Sequence, residues 1–156
     1  MAEAEVIILQ QAEQKLYGVW AKSNDKTVRK DIIRLSDQYH KAVSKPDGAV
    51  LPFFVLSKDY DQKTMNFDLF IGSTTQSSHL ECLYLPKGWY AKVTLKPKLG
   101  FLWGPSIGEA KRYFYTQWLP SSKYQASNME YEHHTEKSTG KSPTIDLFFA
   151  IEEKTK

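Results

Sequence analysis

The chain has 156 residues, of which 41% are hydrophobic and 25% are charged, and its formal net charge is +3. This length suits one domain with its own core, and the balanced composition excludes a fibrous or disordered chain. The basic residues are spread along the sequence instead of forming a dense stripe, so we expect no direct binding to nucleic acid.

The first half of the chain predicts a strand, a helix and two further strands. The first strand covers about residues 6–22 and bends near residues 10–14. A helix follows over about residues 27–45, before a turn at Pro46-Asp47-Gly48. The stripe that we predict to be buried consists of Val28, Ile32, Leu35, Tyr39 and Val43. Strands over about residues 50–58 and 65–72 complete this half.

The second half begins with a strand over about residues 80–95, interrupted by Pro86-Lys87-Gly88. Cys82 is the one cysteine of the chain, which excludes an intrachain disulfide, and the apolar pattern LECLYL around it predicts a buried thiol. Ser106 and Glu109 have the spacing of a capping box, which predicts that a helix begins at Ser106.

The last two predicted strands cover residues 129–135 and 145–152, and the second of them repeats an earlier segment. The sequence FDLFIG at 67–72 returns as IDLFFA at 145–150. We therefore predict an internal duplication, with pseudo-repeats over about residues 4–74 and 79–153 of one domain. The predicted fold is α+β: duplicated β-α-β-β units form a mainly antiparallel sheet, with both helices packed on one side.

Motifs for catalysis, phosphate binding, cofactor binding and thiolate-bound metals are missing from the sequence, so we predict no catalytic residue and no cofactor. Glu132 and His134 could share a metal ion, but two ligands at this spacing are common by chance, and we predict no metal site. The sequence has neither a long apolar run nor a secretory leader. We therefore expect a cytoplasmic protein without membrane contact.

Carboxylates lie among apolar and aromatic residues in both of the last strands. Strand alternation places Glu130, Glu132 and His134 on one face, and the pattern leaves open whether that face meets solvent or a site. Asp146 lies within TIDLFFAI, where a carboxylate must either reach the surface or find a partner. A carboxylate among aromatic rings attracts organic cations, and the 4 Trp, 9 Tyr and 8 Phe exceed what a small core requires. The ligand contacts that we predict are Glu132, Glu130, Asp146, Trp118, Tyr113, Trp89, Phe148 and Trp20.

Short motifs give the chain a resemblance to a known family. WLPSSKY at 118–124, Tyr131-Glu132 and IDLFFAI at 145–151 resemble the signature of the GyrI-like small-molecule-binding domain, and KGWYA at 87–91 resembles the element that opens its second half. The same domain is the effector-binding domain of AraC-type and MerR-type multidrug regulators. The resemblance covers the whole chain and implies the duplicated fold predicted above.

The resemblance also implies roles for individual residues. The family's central acidic residue falls on Glu132, with Glu130 as the alternative, and the acid of its last strand falls on Asp146. Phe148 stands where the family has a tyrosine, and Lys123 replaces a glycine, so we expect a ligand preference different from that of the better-known regulators.

These features predict a stand-alone protein that binds bulky hydrophobic cations, because no helix-turn-helix precedes the domain in this sequence. The alternative is a hydrolase of electrophilic, cyclopropane-bearing natural products, with the pocket glutamate as general base. An inhibitor of a DNA topoisomerase is a third hypothesis, which the net charge of +3 does not favour. A separate regulator protein and a second copy of the chain are the protein partners left open.

Overall fold

The computed structural model describes residues 5–43, 53–97, 103–138 and 141–154. These residues form one eight-stranded sheet and two α-helices. In chain order the elements are β1 (Ile7–Gln11), β2 (Gln14–Asn24), α1 (Val28–Ala42), β3 (Phe53–Lys58), β4 (Asn66–Ser73), β5 (Glu81–Leu85), β6 (Gly88–Leu95), α2 (Trp103–Tyr113), β7 (Tyr124–His134) and β8 (Ile145–Glu153). A π-helical turn, Phe114–Trp118, continues α2, and a short 3-10 turn, Glu136–Ser138, precedes β8.

The sheet has the strand order β1-β6-β8-β7-β3-β4-β2-β5, and every neighbouring pair is antiparallel. If β1, β2, β3 and β4 are exchanged with β5, β6, β7 and β8 in turn, the strand order is the same when the sheet is read from its other edge. The central pair, β3 with β7, is therefore the place where the two halves of the sheet meet. The predicted α+β class, with a mainly antiparallel sheet and two helices, is confirmed.

Both helices pack on one face of the sheet, which we call the helix face. The cluster under α1 includes Leu35, Tyr39 and Val55, and the cluster under α2 includes Phe114 and Leu147. Val55 and Leu147 flank Glu132 on its two neighbouring strands, so both clusters lie on the same side of the sheet. α1 contacts β2 and β4 while α2 contacts β6, and the central strands lie between these two areas.

The opposite surface of the sheet, which we call the open face, carries its own core. Phe54, Tyr90, Tyr131 and Phe148 lie there, each no more than 5% exposed. The sheet curls into a half-barrel, and this curl brings side chains of distant strands together where no helix covers them. Stacking between Tyr131 and Phe148, with ring centroids 4.8 Å apart, lies at the middle of this cluster.

Two sequence predictions are wrong in detail. The helix already includes Trp103 and Pro105, so Ser106 is a buried residue inside α2 and not its capping residue. Proline is well accepted in the first turn of a helix, where its missing N–H costs nothing. Cys82 is exposed and not buried, because it lies on the edge strand β5, where Leu83 and Leu85 are the residues that turn towards the open-face core.

The strand β7 begins at Tyr124, five residues earlier than predicted. Residues 124–126 already pair with β8, and a bulge between Ala126 and Glu130 then interrupts the pairing. Asn128 lies within this bulge with a positive φ of 55°. Its amide side chain accepts a hydrogen bond from the Tyr60 backbone N–H and donates one to the Tyr60 carbonyl. These contacts attach the bulge to the loop after β3. Within the described ranges, no helix is both long enough and apolar enough to cross a membrane.

Candidate functional site

Glu130 lies on the helix face of β7, under the end of α2. Its Oε2 is 2.8 Å from the Lys111 ammonium, and the Tyr115 hydroxyl donates a 3.0 Å hydrogen bond to its Oε1. Lys111 and Tyr115 are four residues apart where α2 continues into the π-helical turn, which places both side chains above the strand. Glu130 is therefore a carboxylate with a permanent positive partner and a neutral hydrogen-bond donor.

Glu132 lies two residues further along the same face, with a different partner. Its Oε1 is 3.1 Å from His134 Nε2, and the two side chains are 15% and 23% exposed. The ring of Phe53, the β3 residue paired with His134, meets the imidazole edge-on with centroids 6.0 Å apart. Among the residues that the structure describes, Glu132 has no Lys or Arg in ion-pair contact. In direct contact, its charge is compensated only when His134 is protonated.

A second imidazole also contacts Phe53. The His40 ring of α1 stacks on Phe53 with centroids 6.0 Å apart. Its Nδ1 is 2.7 Å from the Ser36 carbonyl oxygen, and because a carbonyl can only accept, Nδ1 carries the proton. The remaining ring nitrogen, Nε2, is buried and has no hydrogen-bond partner in the described part of the chain.

The electrostatic balance follows from these contacts. Desolvation would lower the pKa of Lys111, but the carboxylates of Glu130 and Glu132 outweigh it and hold that pKa above its usual value. Burial, reinforced by the adjacent Glu130 carboxylate, raises the pKa of Tyr115 far above its usual value. At neutral pH Lys111 is therefore charged and Tyr115 is protonated. We call Glu130, Glu132, His134, Phe53, Lys111 and Tyr115 the helix-side site; with neutral His134 it carries one net negative charge.

The open face presents a different arrangement around Asp146. Thr94 donates a 2.7 Å hydrogen bond to its Oδ1, and the Lys92 ammonium is 3.9 Å from its Oδ2. His133, the β7 residue paired with Asp146, stacks on Phe54 with centroids 4.6 Å apart. Burial lowers the pKa of His133, which keeps this imidazole neutral near pH 7. Asp146 is thus compensated by a lysine and a hydroxyl.

A shallow groove of about 380 Å³ lies at the other end of the open face. Its walls are Trp20, Ala21, Lys22, Lys58 and Asp68. The Trp20 ring packs on Phe70 at 5.0 Å between centroids, and the Lys58 ammonium lies 5.4 Å from the centre of the indole. Lys22 forms an ion pair with Asp68.

The eight predicted ligand contacts lie on both faces of the sheet. Glu130 and Glu132 are on the helix face, whereas Asp146, Phe148 and Trp20 are on the open face. The sheet separates the two groups, so they do not form one cluster. The role of each residue as a ligand contact stays a prediction.

The three remaining predicted contacts belong to the second half of the chain. Trp118 stacks on Phe114 with centroids 5.3 Å apart and borders the core under α2. Trp89 lies on β6 and is 43% exposed, and Tyr113 is the half-buried last residue of α2.

Sequence reasoning missed Lys111, Tyr115 and Phe53 as parts of the helix-side site. The four-residue spacing of Lys111 and Tyr115 was a usable signal, because it places a cation and a hydroxyl on one side of a helix. Phe53 carries no comparable signal, since its contact with His134 depends on the pairing of β3 with β7. No group of three or more His, Cys, Asp and Glu residues in the described ranges is arranged to hold a metal ion.

Solved structures share this fold over nearly the whole chain. An integron cassette protein of Vibrio cholerae is 12% identical, with a TM-score of 0.68, and the match covers 94% of this chain and 95% of that one. SAV2435, solved with tetraphenylphosphonium bound, is 12% identical, with a TM-score of 0.70 and coverage of 95% and 94%. The C-terminal domain of EcmrR, a protein also solved in complex with DNA, is 16% identical, with a TM-score of 0.65 and coverage of 97% and 99%.

The eight-stranded sheet with its two helices is that of a GyrI-like effector-binding domain, as the resemblance in sequence implied. The chain belongs to the Cass2 family of integron-associated effector-binding proteins, whose family model matches residues 3–151. Among curated proteins, none is significantly similar to the chain in sequence.

Replacing Lys111 with methionine is expected to lower the free energy of unfolding by about 1–2 kcal/mol. The change keeps most of the side-chain volume but leaves the Glu130 carboxylate, whose side chain is 20% exposed, without its cation. This expected loss of stability is smaller than that for a fully buried ion pair because the Lys111 side chain is 34% exposed. Urea denaturation measures the loss. The double variant K111M/E130Q should regain most of it, and a K111M variant as stable as wild type would contradict this account of the pair.

Proposed function

We propose that this protein binds bulky hydrophobic organic cations at the helix-side site, with the Glu132 carboxylate as the opposing charge. The observation that carries the proposal is the contrast between two neighbouring carboxylates. Glu130 has Lys111 as a permanent partner, whereas only an imidazole is in direct contact with Glu132 among the described residues, and the more distant Lys111 is already bound to Glu130. Glu132 is therefore the carboxylate with charge left for a ligand.

The surroundings of Glu132 suit a ligand that is both apolar and charged. Phe53 and Tyr115 supply aromatic surface beside the carboxylates, and ring faces attract cations as well as apolar groups. Because Glu132 is mostly shielded from solvent, its attraction for a cation is weakened less by water and salt than at an exposed position. The effector-binding family and the cation bound to the structural neighbour SAV2435 support the same class of ligand.

The test is calorimetric titration with tetraphenylphosphonium and with neutral triphenylphosphine oxide, at about pH 8, where imidazoles are mostly neutral. Glu132→Gln should bind tetraphenylphosphonium about tenfold to a hundredfold more weakly than wild type, which corresponds to about 1.4–2.7 kcal/mol. Affinity for the neutral compound should change less than about threefold, because the glutamine keeps the shape of the side chain.

Asp146→Asn is the matched control, since it removes one negative charge from the opposite face of the sheet. It should leave both affinities close to those of wild type. If Asp146→Asn abolishes binding of the cation while Glu132→Gln does not, the ligand binds on the open face and the proposal is wrong. Equal affinity of wild type for the two compounds would also contradict it.

A further inference from the structure

His134 occupies the position next to Glu132 that a bound cation would need. The distance of 3.1 Å between Nε2 and Oε1 means that a neutral imidazole donates its Nε2 proton to the carboxylate. In that state the pair keeps one negative charge. When His134 takes up a second proton, the same contact becomes an ion pair with no net charge.

We infer that His134 determines the specificity of the helix-side site, acting as an internal cation that competes with the ligand for Glu132. The inference rests on the proposed function and deepens it. A ligand with a positive charge gains from Glu132 only while His134 is neutral. A neutral ligand of the same shape gains nothing from the carboxylate and is indifferent to the charge of His134.

The other charged and titratable groups around His134 are held elsewhere. The adjacent His133 turns to the open face, where it stacks on Phe54 and burial lowers its pKa. On β7 itself, Glu130 is already held by Lys111 from α2. From α1, the His40 ring stacks on Phe53, and its Nδ1 is engaged with the Ser36 carbonyl. The neighbouring strands place Val55 and Leu147, both apolar, beside Glu132. The charge facing Glu132 within hydrogen-bond distance is therefore that of His134.

Linkage gives the competition a measurable direction. If protonated His134 excludes the cation, then the bound cation must lower the proton affinity of His134, and binding must release protons. The affinity for a cation is then highest at a pH where His134 is neutral and falls as His134 becomes protonated. Preference for cations over neutral analogues falls in parallel.

The test compares dissociation constants for tetraphenylphosphonium and triphenylphosphine oxide at about pH 8 and about pH 5.5, the range in which imidazoles change charge. Wild type should lose about tenfold in affinity for the cation between these values and less than about twofold for the neutral compound. His134→Phe keeps a ring against Phe53 but cannot take up a proton, so its affinity for the cation should change less than about threefold. His79→Gln alters an exposed histidine remote from β7 and should behave as wild type.

The number of protons released on cation binding is a second readout, and a purely structural role of His134 would not affect it. Titration at about pH 6.5 in two buffers of different ionisation enthalpy should show proton release on cation binding by wild type, and none by His134→Phe. His134→Gln keeps a hydrogen-bond donor for Glu132 without a titratable charge, so it should also release no proton on cation binding. It takes the place of His134→Phe in the test if the phenylalanine variant folds poorly.

The outcomes separate this inference from the proposed function. Loss of affinity at low pH that persists in both His134 variants would assign the effect to protonation of Glu132 and overturn the role of His134. Cation binding that depends on Glu132 but releases no proton would overturn it as well. Cation binding at about pH 8 that does not depend on Glu132 would instead contradict the proposed function.

Discussion

Replacing Phe149 with alanine is expected to lower the free energy of unfolding by about 3–5 kcal/mol. Phe149 is 1% exposed, and its ring stacks on Phe114 with centroids 4.0 Å apart and meets Tyr115 edge-on at 5.4 Å. Alanine would leave a cavity between β8 and α2 that the stacked rings cannot close without moving the helix. Urea denaturation followed by circular dichroism measures the loss.

Phe149→Leu is the control, since it keeps most of the buried volume and should cost less than half as much as the alanine change. Because Tyr115 contacts both Phe149 and Glu130, the alanine variant should also bind tetraphenylphosphonium more weakly. An alanine variant that loses less than about 1 kcal/mol would show that this cluster is not the main core under α2.

Replacing Gly72 with alanine is expected to cost at least about 3 kcal/mol or to prevent folding. Gly72 on β4 is paired with Gly18 on β2, and the two backbones approach closely at this point. A Cβ atom on Gly72 would lie 2.2 Å from the Tyr17 carbonyl oxygen and 2.8 Å from the Gly18 Cα. Both atoms belong to the backbone, so the strands themselves would have to separate.

Gly108→Ala provides the matched control, because it is the same chemical change at a different kind of position. Gly108 is exposed on α2, and apart from its chain neighbours and the nearby helix backbone, no heavy atom of the described residues comes within 4 Å of a Cβ placed there. Alanine should stabilise the helix by about 0.5–1 kcal/mol. The two variants should therefore shift the urea midpoint in opposite directions; a shared direction would contradict the close approach of β2 and β4.

Local patterns in the sequence were sufficient to predict most of the elements. The apolar stripe from Val28 to Val43 predicted α1. The predicted strand over about residues 80–95 is instead two strands, β5 and β6, which lie near opposite edges of the sheet. The wrong details concern the ends and edges of elements. The exposure of Cys82 depends on the position of β5 at the edge of the sheet, and a short sequence pattern does not contain that information. The helix α2 begins before Ser106 because Pro105 is accepted in its first turn.

The candidate site was predictable in part for the same reason. Alternation correctly placed Glu130, Glu132 and His134 on one face of β7. It could not show that Asp146 and Phe148 on β8 face the other way, because that relation follows from the register of β7 with β8. The pairing of Glu130 with Lys111 required knowledge of where α2 crosses the sheet. The contrast between the two glutamates, on which the proposed function rests, is therefore a result of tertiary structure.

The most direct test of this account is a crystal structure of the protein with tetraphenylphosphonium bound. We expect the phosphorus atom on the helix face, closer to the Glu132 carboxylate than to Asp146, with a phenyl group against Phe53. A cation bound on the open face, against Phe148 or in the groove beside Trp20, would contradict the assignment of Glu132 as the opposing charge.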